Sequence, residues 1–320
     1  MEPFPVAVVG PTAVGKSSLA LALAPLFNGE IVSVDSMQVY RGMDIGTAKP
    51  GARERKAVRH HLLDIVDPHE EFSVAEYQRL ARNAVDDILS RGGTPFLVGG
   101  TGLYMRAVLD EMVFSPPNQE TRRRFESMSR EEAPLRAFRE LSERDPATAE
   151  RLGAHNLRRL VRALEVIETA EDPPSILHRS LDCMPQHYPR VVIIGLHAER
   201  TLLNELIDER VEKMFEMGLV DEVRKLLEGG RLSRTAGQAL GYRQVCEYLD
   251  NKISLEETVL RTKTASRRFA KRQMTWFRRD PRIRWLGVDR EDIKDPKRVV
   301  ETAALWIGEA RRDAGKGAAL

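Results

Sequence analysis

Eight residues near the start of the chain have the types and spacing of a phosphate-binding loop. Gly10, Gly15, Lys16 and Ser17 occupy the four fixed positions of the pattern G-x-x-x-x-G-K-[ST]. In such a loop, backbone N–H groups surround phosphate oxygens, the lysine reaches the outer phosphate and the serine hydroxyl can ligate Mg²⁺. The sequence predicts a site for a di- or triphosphate and leaves its identity open. The predicted binding residues are Gly10, Pro11, Thr12, Ala13, Val14, Gly15, Lys16 and Ser17, with Ser17 as metal ligand.

A carboxylate and a hydroxyl each follow a further apolar segment. Asp35 comes directly after residues 31–34, and Thr101 lies in the glycine-rich run that follows residues 96–98. Carboxyl ends of parallel strands meet at one edge of a sheet, so both side chains are expected beside the phosphate loop. Asp35 can hold Mg²⁺ through water or accept a proton, and Thr101 can direct a hydroxyl at a ligand. Structural turns at Asp35 and Thr101 remain the alternatives.

The elements that must position these groups are predicted from apolar patterning. A strand at 6–9 precedes the loop and a helix at 16–24 follows it, and a helix at 74–90 begins with the capping box Ser73-x-x-Glu76. Further strands are predicted at 31–34, 62–66, 96–98 and 191–196. Strands that alternate with helices and lack polar alternation are typical of a parallel sheet covered on both faces. The predicted class is α/β, a P-loop NTPase-like doubly wound parallel sheet.

A change of pattern indicates an inserted helical subdomain. Ser115-Pro116-Pro117-Asn118 breaks the chain, charged helical sequence follows over 120–168, and Pro173-Pro174 closes it. Helices are predicted again over 200–251 and 255–277. We therefore expect an α/β core with C-terminal helices formed by residues 1–114 and 190–312, a helical subdomain at 115–189 and a flexible tail at 313–320.

Composition excludes several classes of protein. The 320 residues are 42% hydrophobic and 31% charged, which is typical of a globular protein and not of collagenous, coiled-coil or disordered chains. No apolar run approaches the roughly 20 residues of a membrane span, and no basic leader is present, so a cytoplasmic location without a membrane partner is expected. Cys183 and Cys246 are too few for a disulfide framework or a Cys-x-x-Cys metal site, and both are expected to be plain core residues.

Positive charge is concentrated in one segment of a chain whose net charge is only +2. Residues 261–290 contain eleven Lys and Arg against two Asp. On the predicted helix, Lys263, Arg267 and Lys271 share one face, with a neighbouring face formed by Arg261, Arg268 and Arg272. Contact with the phosphates of an RNA is the functional interpretation. The alternative is a solvated basic helix that is paired with acidic side chains elsewhere.

One long run resembles a known family. It is Asp35-Ser36-Met37-Gln38-Val39-Tyr40-Arg41-Gly42-Met43-Asp44-Ile45-Gly46-Thr47-Ala48-Lys49-Pro50, and it is similar to the tRNA dimethylallyltransferases, also called isopentenyl-tRNA transferases. Further similar motifs are His60-His61-Leu62-Leu63-Asp64, Phe72-Ser73-Val74, Gly99-Gly100-Thr101-Gly102-Leu103-Tyr104, Arg162-Ala163-Leu164-Glu165-Val166, Gly241-Tyr242-Arg243-Gln244 and Ala270-Lys271-Arg272-Gln273-Met274-Thr275-Trp276-Phe277. The resemblance covers about residues 5–290. The chain departs from the family at Gly153-Ala154-His155-Asn156, where the family often has His-Pro-Asn-Asp. No Cys/His zinc finger follows at the C-terminus, which implies a bacterial-type short form.

The resemblance implies an activity and catalytic roles. A dimethylallyl group moves from its diphosphate to N6 of the adenine 3′ to the anticodon, in tRNAs that read codons starting with U, and Mg²⁺ assists as diphosphate leaves. Lys16 neutralises the leaving diphosphate, Thr101 hydrogen-bonds its bridging oxygen and Asp35 accepts the N6 proton. Arg210 is a candidate second cation on the diphosphate, with a surface charge as the alternative. The loop is implied to hold the prenyl diphosphate rather than ATP.

A set of tRNA-contacting residues is predicted from the basic segment and the resemblance together. Its members are Asp35, Ser36, Met37, Gln38, Thr101, Arg123, Arg158, Arg159, Leu160, Val161, Arg162, Arg243, Lys263, Arg267 and Lys271. Tyr40 is implied to lie close to the reacting base, and a monomer is expected. Two other functions are compatible with the same phosphate loop. One is a P-loop small-molecule or nucleotide kinase; the other is a nucleotide-switched RNA-binding protein, for which the Asn-Lys-x-Asp guanine signature is missing.

Overall fold

A computed structural model describes residues 2–169 and 185–317, and Cys183 and Pro173-Pro174 lie outside this range. Six strands form one sheet, parallel throughout, in the order β3-β2-β4-β1-β5-β6. The strands are β1 Val6–Val9, β2 Gly29–Ser33, β3 His60–His61, β4 Thr94–Gly99, β5 Val192–Ala198 and β6 Ile283–Val288. Strand β1 lies between β4 and β5, so the loop that follows it leaves from the interior of the sheet.

Helices connect these strands and supply the remaining elements. They are α1 Lys16–Leu26, α2 Ala52–Ala57, α3 Val74–Ser90, α4 Gly102–Leu109, α5 Gln119–Glu126, α6 Glu132–Arg144, α7 Pro146–Leu152, α8 Leu157–Thr169, α9 Arg200–Glu216, α10 Leu219–Glu228, α11 Tyr242–Leu249, α12 Leu255–Phe277, α13 Arg290–Lys294 and α14 Lys297–Gly317. A short 3₁₀ turn covers Ala236–Gln238. The Ser73 side chain accepts a hydrogen bond from the Glu76 N–H, which confirms the predicted start of α3. No helix in the described ranges is long and apolar enough to cross a membrane.

Burial on both faces of the sheet explains why its strands lack polar alternation. Ala7 and Val9 belong to one hydrophobic cluster, and Val6 and Val8 to a second. All four side chains are fully buried. Successive side chains of a strand point to opposite faces, so the two clusters lie on opposite sides of the sheet. The predicted α/β doubly wound class is confirmed.

Two sheet elements differ from the prediction. The third strand is only His60–His61, and the predicted strand at 62–66 is wrong because Leu62 and Asp64 have φ values of +63° and +57°. Such left-handed residues cannot continue a strand. Strand β6 was not predicted. Its exposed positions, Arg284 and Gly287, interrupt the buried ones at the sheet edge and hide its apolar character.

The chain divides into two compact units. One consists of Met1–Leu109 and Tyr188–Leu320 and contains the sheet. The other, Asp110–His187, contains α5 to α8 and has its own hydrophobic core. Helix α14 continues to Gly317, so the predicted flexible tail at 313–320 is helical as far as the structure describes it.

Candidate active site

The phosphate loop turns sharply between β1 and α1. Gly10 has φ +142°, and a Cβ atom there would stand 2.4 Å from the Leu196 carbonyl oxygen, so only glycine lets the chain leave the sheet at this point. Gly15, with φ +93°, directly precedes α1. The loop therefore ends on the N-terminus of an 11-residue helix, where backbone N–H groups and the helix dipole favour an anion.

Lys16 lies inside this loop without a carboxylate partner in the described part of the chain. Its Nζ donates to the Pro11 carbonyl oxygen at 2.6 Å. Burial, with a smaller contribution from the nearby Arg210 guanidinium, lowers the pKa of Lys16 to about 7, although the Asp35 carboxylate opposes both effects. The Lys16 ammonium therefore has N–H donors available for an anion. A bound anion in the loop would stabilise the charged lysine, which burial disfavours.

Arg210 brings a second cation to the same place from α9. Burial lowers the pKa of its guanidinium, and the charge of Asp35 partly offsets that effect. No hydrogen bond or ion pair holds its side chain among the described residues. Lys16 and Arg210 are therefore two neighbouring cations to which the described residues offer no carboxylate hydrogen bond. Arg210 lies where a second cation on a bound diphosphate was predicted.

Asp35 and Thr101 are brought together by the ends of β2 and β4. Asp35 Oδ1 accepts hydrogen bonds from the N–H groups of Met37 at 2.8 Å and Gln38 at 3.3 Å, which fixes the carboxylate. The Ser36 N–H donates to Thr101 Oγ1 at 3.3 Å and links the two loops. Oδ2 of Asp35 has no hydrogen-bond partner in the described ranges, so it is the oxygen that can accept a proton.

Gln273 was missed by the sequence analysis, although it joins the two phosphate-side loops. Its Oε1 accepts from the Thr12 N–H and its Nε2 donates to the Gly100 carbonyl oxygen, both at 2.9 Å. The side chain is buried. Gln273 shares the buried face of α12 with Ala270 and Phe277, and this spacing of an amide with core residues was the signal available in the sequence.

Gln38 is held by hydrogen bonds on both sides of its amide. Nε2 donates to the carbonyl oxygens of Thr47 at 3.2 Å and Ala48 at 3.3 Å. The Ser33 hydroxyl donates to Oε1 at 2.8 Å. The position of Gln38 therefore depends on the loop that carries Thr47 and Ala48.

A single carboxylate on α10 anchors that loop. Glu222 accepts hydrogen bonds from the N–H groups of Asp44, Ile45 and Gly46 at 2.8 to 3.4 Å. The Tyr242 hydroxyl donates to the same carboxylate at 2.6 Å, and burial together with this charge raises the Tyr242 pKa. Glu222 is thus a positioning residue for the loop that holds Gln38.

A cavity of about 780 Å³ opens beside the phosphate loop. Ala13 of the loop and the guanidinium-bearing Arg210 line one part of it. Apolar side chains of Ile45, Leu206 and Met214 line another. The cavity, which is open to solvent, therefore has a cationic region and an apolar region side by side.

Three residues assigned to tRNA or base contact are core residues in the structure. Leu160 and Val161 are buried in the hydrophobic core of the helical unit, and Tyr40 is fully buried in the core of the sheet-containing unit. These side chains stabilise the fold, and a contact with RNA at Leu160 or Val161 would have to be made by the backbone. That these two residues contact tRNA, and that Tyr40 lies close to the reacting base, stay predictions.

The predicted arginines of the helical unit differ in their surroundings. Arg123, Arg158 and Arg159 are exposed. Arg162 is half-buried and forms an ion pair with the buried Glu165 at 2.9 Å. Arg162 therefore has a structural role in this unit, whereas the other three remain predicted RNA contacts.

Most of the predicted basic face of α12 is already paired. Lys263 contacts Glu212 at 2.5 Å, and Arg267 Nε contacts Asp208 Oδ1 at 2.9 Å. Lys271 is exposed and has no carboxylate partner among the described residues. The interpretation of a paired basic helix therefore holds for the first two residues of this face, and the phosphate-binding interpretation is left to Lys271.

Other cations of the basic segment behave in the same way. Arg261 pairs with Glu257 at 2.7 Å, and Arg284 pairs with Glu309 at 3.3 Å. Arg243, outside that segment, pairs with Glu247 at 3.3 Å. Part of the local excess of positive charge is thus neutralised by carboxylates, and the exposed Arg268, Lys271 and Arg272 have no carboxylate partner among the described residues.

The fold and the site define the class of this protein. A parallel sheet whose interior strand leads into a phosphate loop, with an acid and a hydroxyl at the ends of neighbouring strands, is a P-loop α/β protein with a site for a phosphorylated substrate. A family model described as IPP transferase matches residues 38–280. The chain belongs to the IPP transferase family.

Relatives and solved structures agree with this assignment. The chain is 45% identical to the tRNA dimethylallyltransferase of Carboxydothermus hydrogenoformans over 93% of this chain and 96% of that protein. It is 46% identical to the tRNA dimethylallyltransferase of Thermobifida fusca over 96% and 98% of the two chains. A crystal structure of the full-length tRNA isopentenylpyrophosphate transferase of Bacillus halodurans matches with a TM-score of 0.71 and 39% identity over all of both chains. A eukaryotic dimethylallyltransferase acting on tRNA matches with a TM-score of 0.78 and 27% identity, over 95% of this chain and 79% of that one. The family resemblance seen in the sequence is confirmed.

Proposed function

We propose that this chain transfers a dimethylallyl group from dimethylallyl diphosphate to N6 of the adenine 3′ to the anticodon, in tRNAs that read codons starting with U, and that it acts as a monomer. The names of its relatives describe dimethylallyl transfer to tRNA by those proteins. The observation that carries the proposal is the grouping of Lys16, Arg210 and Asp35: two cations without carboxylate hydrogen bonds and one carboxylate with a free oxygen. A leaving diphosphate needs the cations and an amine nucleophile needs the base.

The donor fits the loop and the cavity beside it. The backbone N–H groups of the loop donate hydrogen bonds to the diphosphate oxygens. Lys16 and Arg210 bind the same oxygens with their charged side chains. The five-carbon chain lies against the apolar part of the cavity formed by Ile45, Leu206 and Met214. A mixed lining of this kind suits a molecule that is apolar at one end and doubly charged at the other.

The chemical step then uses the acid and the hydroxyl. The bond between C1 of the dimethylallyl group and the bridging diphosphate oxygen breaks, and its electron pair leaves with the diphosphate. N6 of adenine forms the new bond to C1, and its proton passes to Oδ2 of Asp35. The Thr101 hydroxyl donates a hydrogen bond to the bridging oxygen, where negative charge grows, and keeps its proton.

Ser17 fits a magnesium site of the kind that relies mainly on substrate oxygens. Its hydroxyl is exposed in the first turn of α1, at the end of the phosphate loop. No group of three or more His, Cys, Asp or Glu side chains is positioned to hold a metal within the described residues. Mg²⁺ usually takes one or two protein ligands plus phosphates and water, so Ser17 and a bound diphosphate suffice as a starting set. When bound, the ion neutralises charge on the leaving diphosphate.

One labelling experiment tests the proposal. Unmodified tRNA is incubated with the protein and with either radiolabelled dimethylallyl diphosphate or labelled ATP. We expect label from the prenyl donor in the tRNA and no consumption of ATP. Lys16→Ala is expected to abolish donor use and leave tRNA affinity nearly unchanged. Transfer of phosphate from ATP to any acceptor would instead support the kinase alternative.

A further inference from the structure

Three exposed side chains form a stripe along α12 that no carboxylate neutralises in the described part of the chain. Arg268, Arg272 and Trp276 follow one another at intervals of four residues, so they lie on one face of the helix. The Arg272 guanidinium lies 5.7 Å from the centre of the Phe269 ring. This stripe, named the RNA stripe below, differs from the neighbouring face, whose Lys263 and Arg267 are paired with acidic residues.

The aromatic end of the RNA stripe lies directly against the active-site loop. A Cβ atom on Gly102 would stand 2.1 Å from the indole Cδ1 of Trp276, so the ring covers the backbone of the residue that follows Thr101. Trp276 nevertheless remains 44% exposed. One part of the indole is thus fixed by the glycine-rich loop, and another part is open to solvent.

We propose that Trp276 stacks on a nucleobase of the tRNA that flanks the reacting adenine, while Arg268 and Arg272 contact the adjoining backbone phosphates. An aromatic ring that packing holds in place beside positive side chains is the usual platform for an unstacked base. Charge complementarity selects RNA as the occupant, because the stripe carries two unpaired cations and no acid. The inference rests on the proposed function, since it places the ring beside the base that reacts.

A fluorescence titration observes Trp276 directly. Replacing Trp285 and Trp306 by Phe leaves Trp276 as the single tryptophan. An unmodified anticodon stem-loop RNA is titrated into this variant, whose fold is checked by its circular dichroism and melting transition. We expect saturable quenching of the indole, because a stacked base quenches it. Binding of the RNA without a change in fluorescence would overturn the proposal.

Substitutions of Trp276 distinguish base stacking from simple coverage of Gly102 by an apolar side chain. Trp276→Ala is expected to weaken stem-loop binding about 5- to 150-fold. Trp276→Leu, which still covers Gly102 but has no aromatic face, should lose nearly as much, whereas Trp276→Phe should lose little. Leu305→Ala, an exposed apolar residue on α14, is the matched control and should bind as wild type. Wild-type binding by the Leu variant would mean that the ring serves only as a lid on the loop.

The charged part of the RNA stripe is tested by salt dependence. Arg268→Gln with Arg272→Gln should flatten the slope of log K against log salt by about 1.4 to 1.8 for two lost phosphate contacts. The control is Lys297→Gln with Arg312→Gln, two exposed cations on α14, which should leave the slope unchanged. An unchanged slope in the stripe variant would refute the phosphate contacts. Prenylation of the stem-loop by wild-type protein is measured in parallel, so that failure of the proposed function is distinguished from failure of the stripe.

Discussion

Replacing Gln273 by Met tests whether the phosphate loop must be tied to the glycine-rich loop. Met keeps roughly the volume of the buried side chain, but its sulfur accepts only weakly from the Thr12 N–H and it has no donor for the Gly100 carbonyl oxygen. A buried polar group without a partner costs about 1 to 3 kcal/mol. Gly100 is buried and Thr12 is half-buried, so water relieves part of the cost at Thr12. We expect the free energy of unfolding to fall by about 2 to 4 kcal/mol.

The same substitution should also weaken binding of dimethylallyl diphosphate, because it releases the phosphate loop. Once Thr12 is released, the loop must be ordered when diphosphate binds, and each 1.4 kcal/mol spent on ordering weakens binding tenfold. We expect the dissociation constant for dimethylallyl diphosphate to rise about tenfold or more, while the affinity for tRNA stays within about twofold. Calorimetric titration with the donor and urea unfolding measure the two quantities on one preparation.

A matched control removes a similar bond far from the phosphate loop. Gln78 on α3 donates to the Ala107 carbonyl oxygen at 2.8 Å. Gln78→Met should lower stability and leave donor affinity unchanged. If Gln273→Met lowers stability but binds the donor as tightly as wild type, the bond between the loops is structural only and the reasoning is refuted.

Three further predictions follow from the charges at the site. Asp35→Asn should keep the fold and tRNA binding but slow single-turnover transfer by roughly 10² or more, because an amide cannot accept the N6 proton; a near-wild-type rate would rule out the base role. Because the pKa of Lys16 is about 7 before diphosphate binds and a bound diphosphate favours the charged lysine, donor affinity should be full below pH 7 and fall as pH rises above it. Lys16→Met should show no such dependence over a range from about 0.5 to about 2.5 units above that pKa, and calorimetry of both proteins decides the matter. Lys263→Gln with Arg267→Gln should barely change the salt slope of tRNA binding because both cations are internally paired, whereas Lys271→Gln should flatten it by about 0.7 to 0.9; equal effects in filter-binding titrations would contradict this assignment.

Much of the fold could be predicted from the sequence, because apolar residues in these segments are the ones that the fold buries. Val6–Val9 is apolar throughout, since both faces of β1 are covered, and Ser73 marks the start of α3. The prediction failed at Leu62, where a left-handed backbone interrupts an apolar run. A left-handed backbone cannot be recognised from the residue types alone. The position of a strand at the sheet edge cannot be recognised from them either, and β6 was missed for this second reason.

The candidate site was predictable where a motif fixes the chemistry and not where distant chain segments meet. Lys16 and Asp35 follow from loop and strand-end patterns. Gln273 bonds to Thr12 across 261 positions of sequence. Its spacing with Ala270 and Phe277 indicates that the amide is buried, but not which loop it contacts. The pairing of Lys263 with Glu212 is equally distant, so a count of charges along the helix could not foresee which cations are neutralised.

The hydrogen bonds of Gln38 also determine whether its amide can donate to, or accept from, a group that approaches it. A primary amide has two N–H donors and an oxygen with two lone pairs. Both donors are occupied by the carbonyls of Thr47 and Ala48, and the Ser33 hydroxyl takes one lone pair. The remaining lone pair makes Gln38 an acceptor only, so a group that hydrogen-bonds to it must bring a proton. An exocyclic amine meets that condition and a carbonyl oxygen does not, so a purine that met Gln38 with its 6-substituent would form a hydrogen bond through an amine there and not through an oxygen.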